Sequence, residues 1–164
     1  MIVVVSDTHS ERLKDLPKTL LYAIEIADMV VHAGDFDRFS IYEELSDFEL
    51  VAVAGNSDEE KIELPEITYF DYKGLRIAVK HEPLFPDGSD LVYKAKELEA
   101  DLMIFGHTHH PFFKEIAGIF LLNPGSPTKA IVRTFAEIYV DNVVEIILRG
   151  VNGEVIERFE IVRG

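Results

Sequence analysis

Residues 2–9 read Ile2-Val3-Val4-Val5-Ser6-Asp7-Thr8-His9, an apolar, largely β-branched run that stops at a polar cluster. An apolar run this short fits a strand buried on both faces, as parallel strands are when layers cover each side of their sheet. The pattern recurs. Met29-Val30-Val31 leads into His32-Ala33-Gly34-Asp35, and Leu50 to Ala54 leads into Gly55-Asn56-Ser57-Asp58. Between the first two runs, Leu16, Leu20, Ala23, Ile24 and Ala27 recur at helical spacing, and Pro17 suits a first turn. A shorter helix is predicted over Arg38 to Leu45. This βαβαβ order predicts a parallel sheet with right-handed crossovers.

Beyond Pro65 the rhythm changes. Thr68 to Tyr72 and Leu75 to Lys80 flank Lys73-Gly74 and read as a hairpin. A helix follows, with Ser89 as the expected N-cap and Leu91, Ala95 and Leu98 as its apolar face up to Ala100. Leu102 to Phe105 is the next strand, a hairpin turns at Ala117-Gly118, and three β runs after Thr134 turn at Asp141-Asn142 and Asn152-Gly153. The second half is therefore expected to be mostly antiparallel. The fold class is α/β: two mixed sheets face to face with helices outside.

Composition narrows the function. The 164 residues are 48% hydrophobic, enough for one buried core, and no repeat or linker interrupts them, so residues 1–164 are expected to form a single domain. No apolar run approaches the roughly 18 residues needed to span a bilayer, and Met1 leads directly into Ile2; a cytoplasmic protein without a membrane partner is expected. With no cysteine there is no thiolate to bind metal or attack a substrate. Thirty acidic against 16 basic residues give a net charge of −14, which disfavours nucleic acid as a partner. The sequence leaves the oligomeric state open, a homodimer or a larger assembly included.

Six apolar runs end in six polar clusters. Besides those above, Leu75 to Lys80 leads into His81, Leu102 to Phe105 into Gly106-His107-Thr108-His109, and Ile119 to Leu122 into Asn123-Pro124-Gly125-Ser126. Ligand sites in α/β sheets form beyond the carboxyl ends of strands, so these clusters can converge on one pocket. Carboxylate, amide oxygen and imidazole together suit manganese, iron, cobalt, nickel or zinc. Gly34, Gly55 and Gly106 each precede a candidate ligand, where a backbone without Cβ can turn sharply. Asp7, His9, Asp35, Asn56, His81, His107 and His109 are enough donors for two ions about 3.5 to 4 Å apart.

Asp-x-His, Gly-Asp, Gly-Asn-x-Asp, His and Gly-His-x-His, in this order along nearly the whole chain, resemble the calcineurin-like metallophosphoesterase superfamily. The short length, Asn123-Pro-Gly-Ser126 and the β-rich tail look more narrowly like its small single-domain prokaryotic phosphodiesterases. The resemblance implies a four-layer α-β-β-α sandwich. It implies that Asp7, His9 and His109 hold one divalent ion, that Asn56, His81 and His107 hold the other, and that Asp35 bridges them. Manganese is the first expectation, with nickel, cobalt, iron or zinc as alternatives. Asn56, Asp35 and His81 carry over as catalytic residues, and a small phosphate ester becomes the expected substrate, hydrolysed by a hydroxide bridging the two ions. The alternative is a non-catalytic interaction scaffold on the same fold, like the retromer subunit that resembles these enzymes.

Two positions depart from the common family pattern. Ser57 stands where many members carry a histidine that protonates the leaving oxygen, and a hydroxyl is a poor donor to an alkoxide. Glu82-Pro83 follows His81 where many have Gly-His, adding a negative charge beside the site. Of the other polar residues, His32 is read as a hydrogen-bonding residue of the core or behind the ligands rather than as a ligand, and His110 as a solvated loop residue. Asn123-Pro-Gly-Ser126 is either a turn or a support beside the site, and Arg133 either meets a phosphate or forms a surface ion pair. Asp58-Glu59-Glu60-Lys61 is read as a solvated face.

Overall fold

In the computed structural model, which describes residues 1–163, Ile2–Val5 forms β1, a buried strand at the centre of a sheet. The pleat sends alternate side chains to opposite faces. Ile2 and Val4 enter one apolar cluster, while Val3 and Val5 enter another. Helix α1 (Lys18–Ile26) and helix α2 (Phe39–Leu45) connect β1 to β2 (Met29–His32) and β2 to β3 (Leu50–Ala52), and all three strands are parallel. Pro17 takes the N-cap position of α1, one residue earlier than expected. β3 ends at Ala52 because the Ala54 N–H turns away to the Pro65 carbonyl.

The antiparallel tail completes this sheet. β9 (Thr134–Val140), β10 (Val143–Gly150) and β11 (Val155–Val162) give the strand order β11-β10-β9-β1-β2-β3. The second sheet holds β4 (Ile67–Tyr72), β5 (Leu75–Lys80), β6 (Leu102–Ile104), β7 (Pro111–Ile116) and β8 (Ile119–Pro124), in the order β4-β5-β6-β8-β7. As expected, the second half is mostly antiparallel, with β5–β6 and β6–β8 as its parallel pairs. Helix α3 (Leu91–Glu97) supplies the crossover between β5 and β6, so three strands of this sheet run the same way. Asp90, not Ser89, takes the N-cap position of α3, and its carboxylate accepts the N–H groups of Leu84 and Phe85 at 3.0 Å each.

The core follows the layers. Ile2, Val4, Val31, Ile77, Val79 and Ile104 meet between the sheets. Leu20, Ile24, Ile41 and Leu45 pack α1 and α2 onto the outer face of the first sheet. Leu91, Ala95, Ala78 and Met103 join α3 to the outer face of the second. The result is the α-β-β-α order of layers. Among the described residues no helix is long and apolar enough to cross a membrane.

Candidate metal centre

The loops that follow β1, β2, β3, β5 and β6 bring all seven sequence-predicted site residues together. Asp7, His9 and His109 offer ligand atoms that all lie within 4.8 Å of one another, and so do Asp35, His81 and His107. The Asn56 Oδ1 joins the second group, 3.0 Å from His81 Nε2 and 3.2 Å from His107 Nδ1. Asp35 Oδ2 faces both groups, 3.2 Å from His81 Nε2 and 3.7 Å from His9 Nε2.

Asp7 gives the strongest sign of what this arrangement takes. Its Oδ2 accepts from the Ser6 hydroxyl at 2.7 Å and the His107 N–H at 3.0 Å. Its buried Oδ1 has no hydrogen-bond partner among the described residues, yet lies 3.4 Å from His109 Nε2, 3.8 Å from His9 Nε2 and 3.9 Å from His81 Nε2. A buried polar atom without a partner is costly, and a cation would satisfy it. The imidazoles are oriented to match. His81 donates its Nδ1–H to the Ala33 carbonyl at 2.7 Å, and His9 Nδ1 is 2.8 Å from Asp37 Oδ1, so in the neutral rings Nε2 keeps its lone pair toward the centre. Such a set of carboxylate, amide and imidazole donors fits divalent cations.

The backbone is bent to reach this geometry. Asp7, His9, Asp35, His107 and His109 all have positive φ, between 41° and 72°. Left-handed conformation costs a residue with a Cβ about 1 kcal/mol or more, a cost that functional sites concentrate. Two glycines permit the close approach. A Cβ on Gly55 would lie 2.1 Å from Asp35 Oδ1, and one on Gly106 would lie 2.1 Å from Ser6 Oγ.

The carboxylates and imidazoles of the cluster shift one another's proton affinity. His9 is drawn up to about 9, first by the Asp7 carboxylate and then, against the effect of its own burial, by Asp37. Burial would lower His81, but hydrogen bonding to Asp35 and the charges of Asp7 and Asp35 raise it. Burial likewise opposes ionisation of Asp35, but His81 and the Ser57 N–H hold its carboxyl below the ordinary range.

The supporting residues were only partly legible in the sequence. His32 is a core residue as expected: its ring stacks on Phe36, its Nε2 is 3.0 Å from Thr8 Oγ1, and burial pushes its pKa well below 6.5. Asn123-Pro-Gly-Ser126 is a support. The Asn123 amide donates to the Gly106 carbonyl and to Thr108 Oγ1, and Ser126 Oγ donates to the Asp7 carbonyl at 2.7 Å. Arg133 is exposed and lines a separate groove with Gly150, Val151 and Ile156. The reading of residues 58–61 as a solvated face fails at Asp58, while Glu59 keeps a partly exposed side chain. Asp58 accepts the N–H groups of Gly55, Asp35 and Asp37, and Glu59 accepts the Phe39 N–H while pairing with Arg38. Asp37 was missed altogether, although its place two residues after Asp35 was a signal. Glu82 faces the centre, its Oε1 3.5 Å from His107 Nε2.

Comparison with known proteins identifies the family. A probable metallophosphoesterase of Methanothermobacter thermautotrophicus is 38% identical over 133 residues, 78% of this chain and 77% of that protein. A phosphodiesterase of Methanocaldococcus jannaschii is 26% identical over 168 residues, covering 88% and 99% of the two chains. Among solved structures, wild-type Vps29 from Entamoeba histolytica in complex with zinc superposes with a TM-score of 0.79 at 25% identity, over 98% of this chain and 97% of that one. Residues 1–143 match the calcineurin-like phosphoesterase superfamily domain. With that match taking in every residue of the centre, the chain belongs to the calcineurin-like phosphoesterase superfamily.

Proposed function

We propose that this protein is a metal-dependent phosphodiesterase that acts as one domain on a small phosphate ester, with two divalent cations, manganese first among them, held by Asp7, His9, Asp35, Asn56, His81, His107 and His109. The observation that carries the reading is the buried, unpartnered Asp7 Oδ1 aimed at three imidazoles. Bound there, divalent cations supply charge neutralisation for a phosphoryl oxygen and a nucleophile from water near neutral pH. The residues supply the rest. Asp35 presents Oδ2 to both groups while its Oδ1 is held by the Ser57 N–H at 3.0 Å. The Ala33 carbonyl fixes the His81 ring, and the neighbouring Asn56 Oδ1 lies within reach of both His81 and His107. Ser57 donates its hydroxyl proton to Asp37 at 2.6 Å, which leaves it unsuited to protonating a leaving oxygen. Glu82 at the mouth favours a diester, which brings one negative charge fewer than a monoester.

The second reading, a non-catalytic scaffold, draws on the likeness to Vps29. Because that protein was itself captured with zinc, metal content alone does not separate the two. The discriminating experiment loads the chelator-treated protein with Mn2+, counts the ions and measures turnover of an aryl phosphodiester. Two ions per chain with turnover that chelator abolishes supports the enzyme. Two ions without turnover of any phosphate ester would favour the scaffold.

A further inference from the structure

Asp37 lies outside the seven donors, yet its carboxylate meets His9 of one group and Ser57, the residue after Asn56 of the other. It is held in left-handed conformation at φ 76°, with its N–H donated to Asp58 Oδ1 at 3.0 Å and its carbonyl accepting the Glu59 N–H at 3.0 Å. That backbone grip already joins the loop after β2 to the loop after β3. The carboxylate is therefore free for other work, and among the described residues it meets two side chains through one oxygen. Asp37 Oδ1 is 2.8 Å from His9 Nδ1 and accepts the Ser57 hydroxyl at 2.6 Å.

We propose that Asp37 is a positioning residue: its Oδ1 fixes the tautomer of His9 in one metal group and, through Ser57, the placement of Asn56 in the other, so that the two groups take up metal as a coupled pair. The inference rests on the metal-centre reading above.

The first half follows from imidazole chemistry. A neutral ring carries one proton, and the nitrogen that donates it cannot ligate. With Nδ1–H directed at Asp37, the lone pair stays on Nε2, the atom that lies 3.3 Å from His109 Nε2 and 3.7 Å from Asp35 Oδ2. Loss of the acceptor lets the ring turn or exchange tautomers, and outer partners of this kind typically change metal affinity about 10-fold to 100-fold. The second half follows from chain connectivity. Ser57 is held at Oγ by Asp37 and at N by Asp35 Oδ1, which pins the peptide that carries Asn56. Asn56 Oδ1 then stays 3.0 Å from His81 Nε2. A single oxygen thus touches a donor of one group and steadies a donor of the other.

The test titrates the chelator-treated protein with Mn2+ by calorimetry, for wild type, Asp37→Ala, Asp37→Asn and Ser57→Ala, with circular-dichroism melts as the check on folding. Wild type should take up two ions. Asp37→Ala should weaken one site about 10-fold to 100-fold and the other by a smaller but measurable factor. Ser57→Ala should weaken only one site, and Asp37→Asn, which retains an acceptor oxygen, should recover part of the loss. Histidine nitrogen resonances of the Zn2+-loaded protein should show Nδ1–H on His9 in wild type and lose that fixed tautomer in Asp37→Ala, a change that loop stapling alone would not produce. If Asp37→Ala fails to fold, Asp37→Asn and Ser57→Ala carry the same comparison. Two-ion binding within about twofold of wild type in the Asp37 variants, or an unchanged His9 tautomer, would overturn the proposal. Weakening of the His9 site alone would overturn the coupling. A wild type that binds no metal would instead remove the metal reading itself, and this inference with it.

Discussion

Gly106→Ala isolates how closely the centre is packed. Gly106 does not need a positive φ, so alanine meets no backbone penalty there, and the effect is steric. The new Cβ would lie 2.1 Å from Ser6 Oγ and 2.8 Å from Asp7 Oδ2. The Ser6 hydroxyl must move by about 1 Å to reach an ordinary contact distance, and it cannot do so while keeping its 2.7 Å bond to Asp7 Oδ2. A hydrogen bond to a charged group contributes about 1.5 to 3 kcal/mol. For a chain of this size, that converts to a Tm lowered by about 3 to 12 °C. Because Asp7 also shifts against its metal-facing Oδ1, Mn2+ affinity should fall by a comparable factor, about 10-fold to 150-fold if the whole bond is lost. Thermal melts with and without Mn2+, paired with calorimetric titration, measure both effects. Ser6→Ala combined with Gly106→Ala should cost less than the sum of the single changes, since the first removes the atom that the second displaces. A Gly106→Ala protein that melts within 1 °C of wild type and binds Mn2+ equally well, a threshold set well below the expected ~3 °C, would refute the packing argument.

Further expectations concern the donors and their neighbours. Asp35→Ala should lower occupancy at both metal groups and abolish turnover, whereas His9→Ala should weaken mainly one; elemental analysis with an activity assay decides this. Glu82→Gln should lower KM for a phosphodiester without altering metal content, because it removes a like charge 3.5 Å from His107; steady-state kinetics provide the check. Wild type should slow steeply as leaving-group pKa rises across aryl diesters, and Ser57→His should flatten that slope; equal slopes would show that another group already donates the proton. Metal binding should release protons at neutral pH. His9, raised to about 9, is protonated at pH 7 without metal and must be neutral to ligate, so apparent affinity should rise about tenfold per pH unit toward pH 9 for each proton displaced. In chelator-treated protein the same raised pKa contributes stability that is full below 6.5 and lost as pH rises through about 9. Calorimetry in buffers of different ionisation enthalpy measures the released protons.

The parts of this protein that depend on local pattern could be read directly from the chain. Short apolar runs such as Ile2 to Val5 and Leu102 to Ile104 announce buried strands because a strand covered on both faces has no polar side. The polar clusters that end those runs announce a site because chain direction places strand ends at one rim. What stayed hidden depends on contacts between distant segments. The parallel pairing of β6 with β8 could not be told from an antiparallel one, since a buried strand shows the same composition in either direction. Ser89 was expected as the N-cap of α3, and the helix starts one residue later, after Asp90, whose carboxylate binds the preceding loop at Leu84 and Phe85. Asp58 reads as solvated because a charge run usually is, and only the fold brings the N–H groups of Gly55, Asp35 and Asp37 to it.

By itself, then, the sequence pointed to the layer order of the fold through periodicity, and to the family and the seven candidate donors through the ordered motifs at strand ends. Only the tertiary structure decided how the donors face one another and what holds them. The grouping of Asp7 with His9 and His109, and of Asp35 with His81 and His107, was already implied by the family resemblance, and folding gives it distances across about a hundred residues of chain. The orphaned Asp7 Oδ1, the five donors bent to positive φ and the oxygen that Asp37 shares between His9 and Ser57 exist only once those loops are packed together. The physical reason is that a hydrogen bond's direction, or a carboxylate's lack of one, is a property of three-dimensional neighbours, which one-dimensional spacing does not encode.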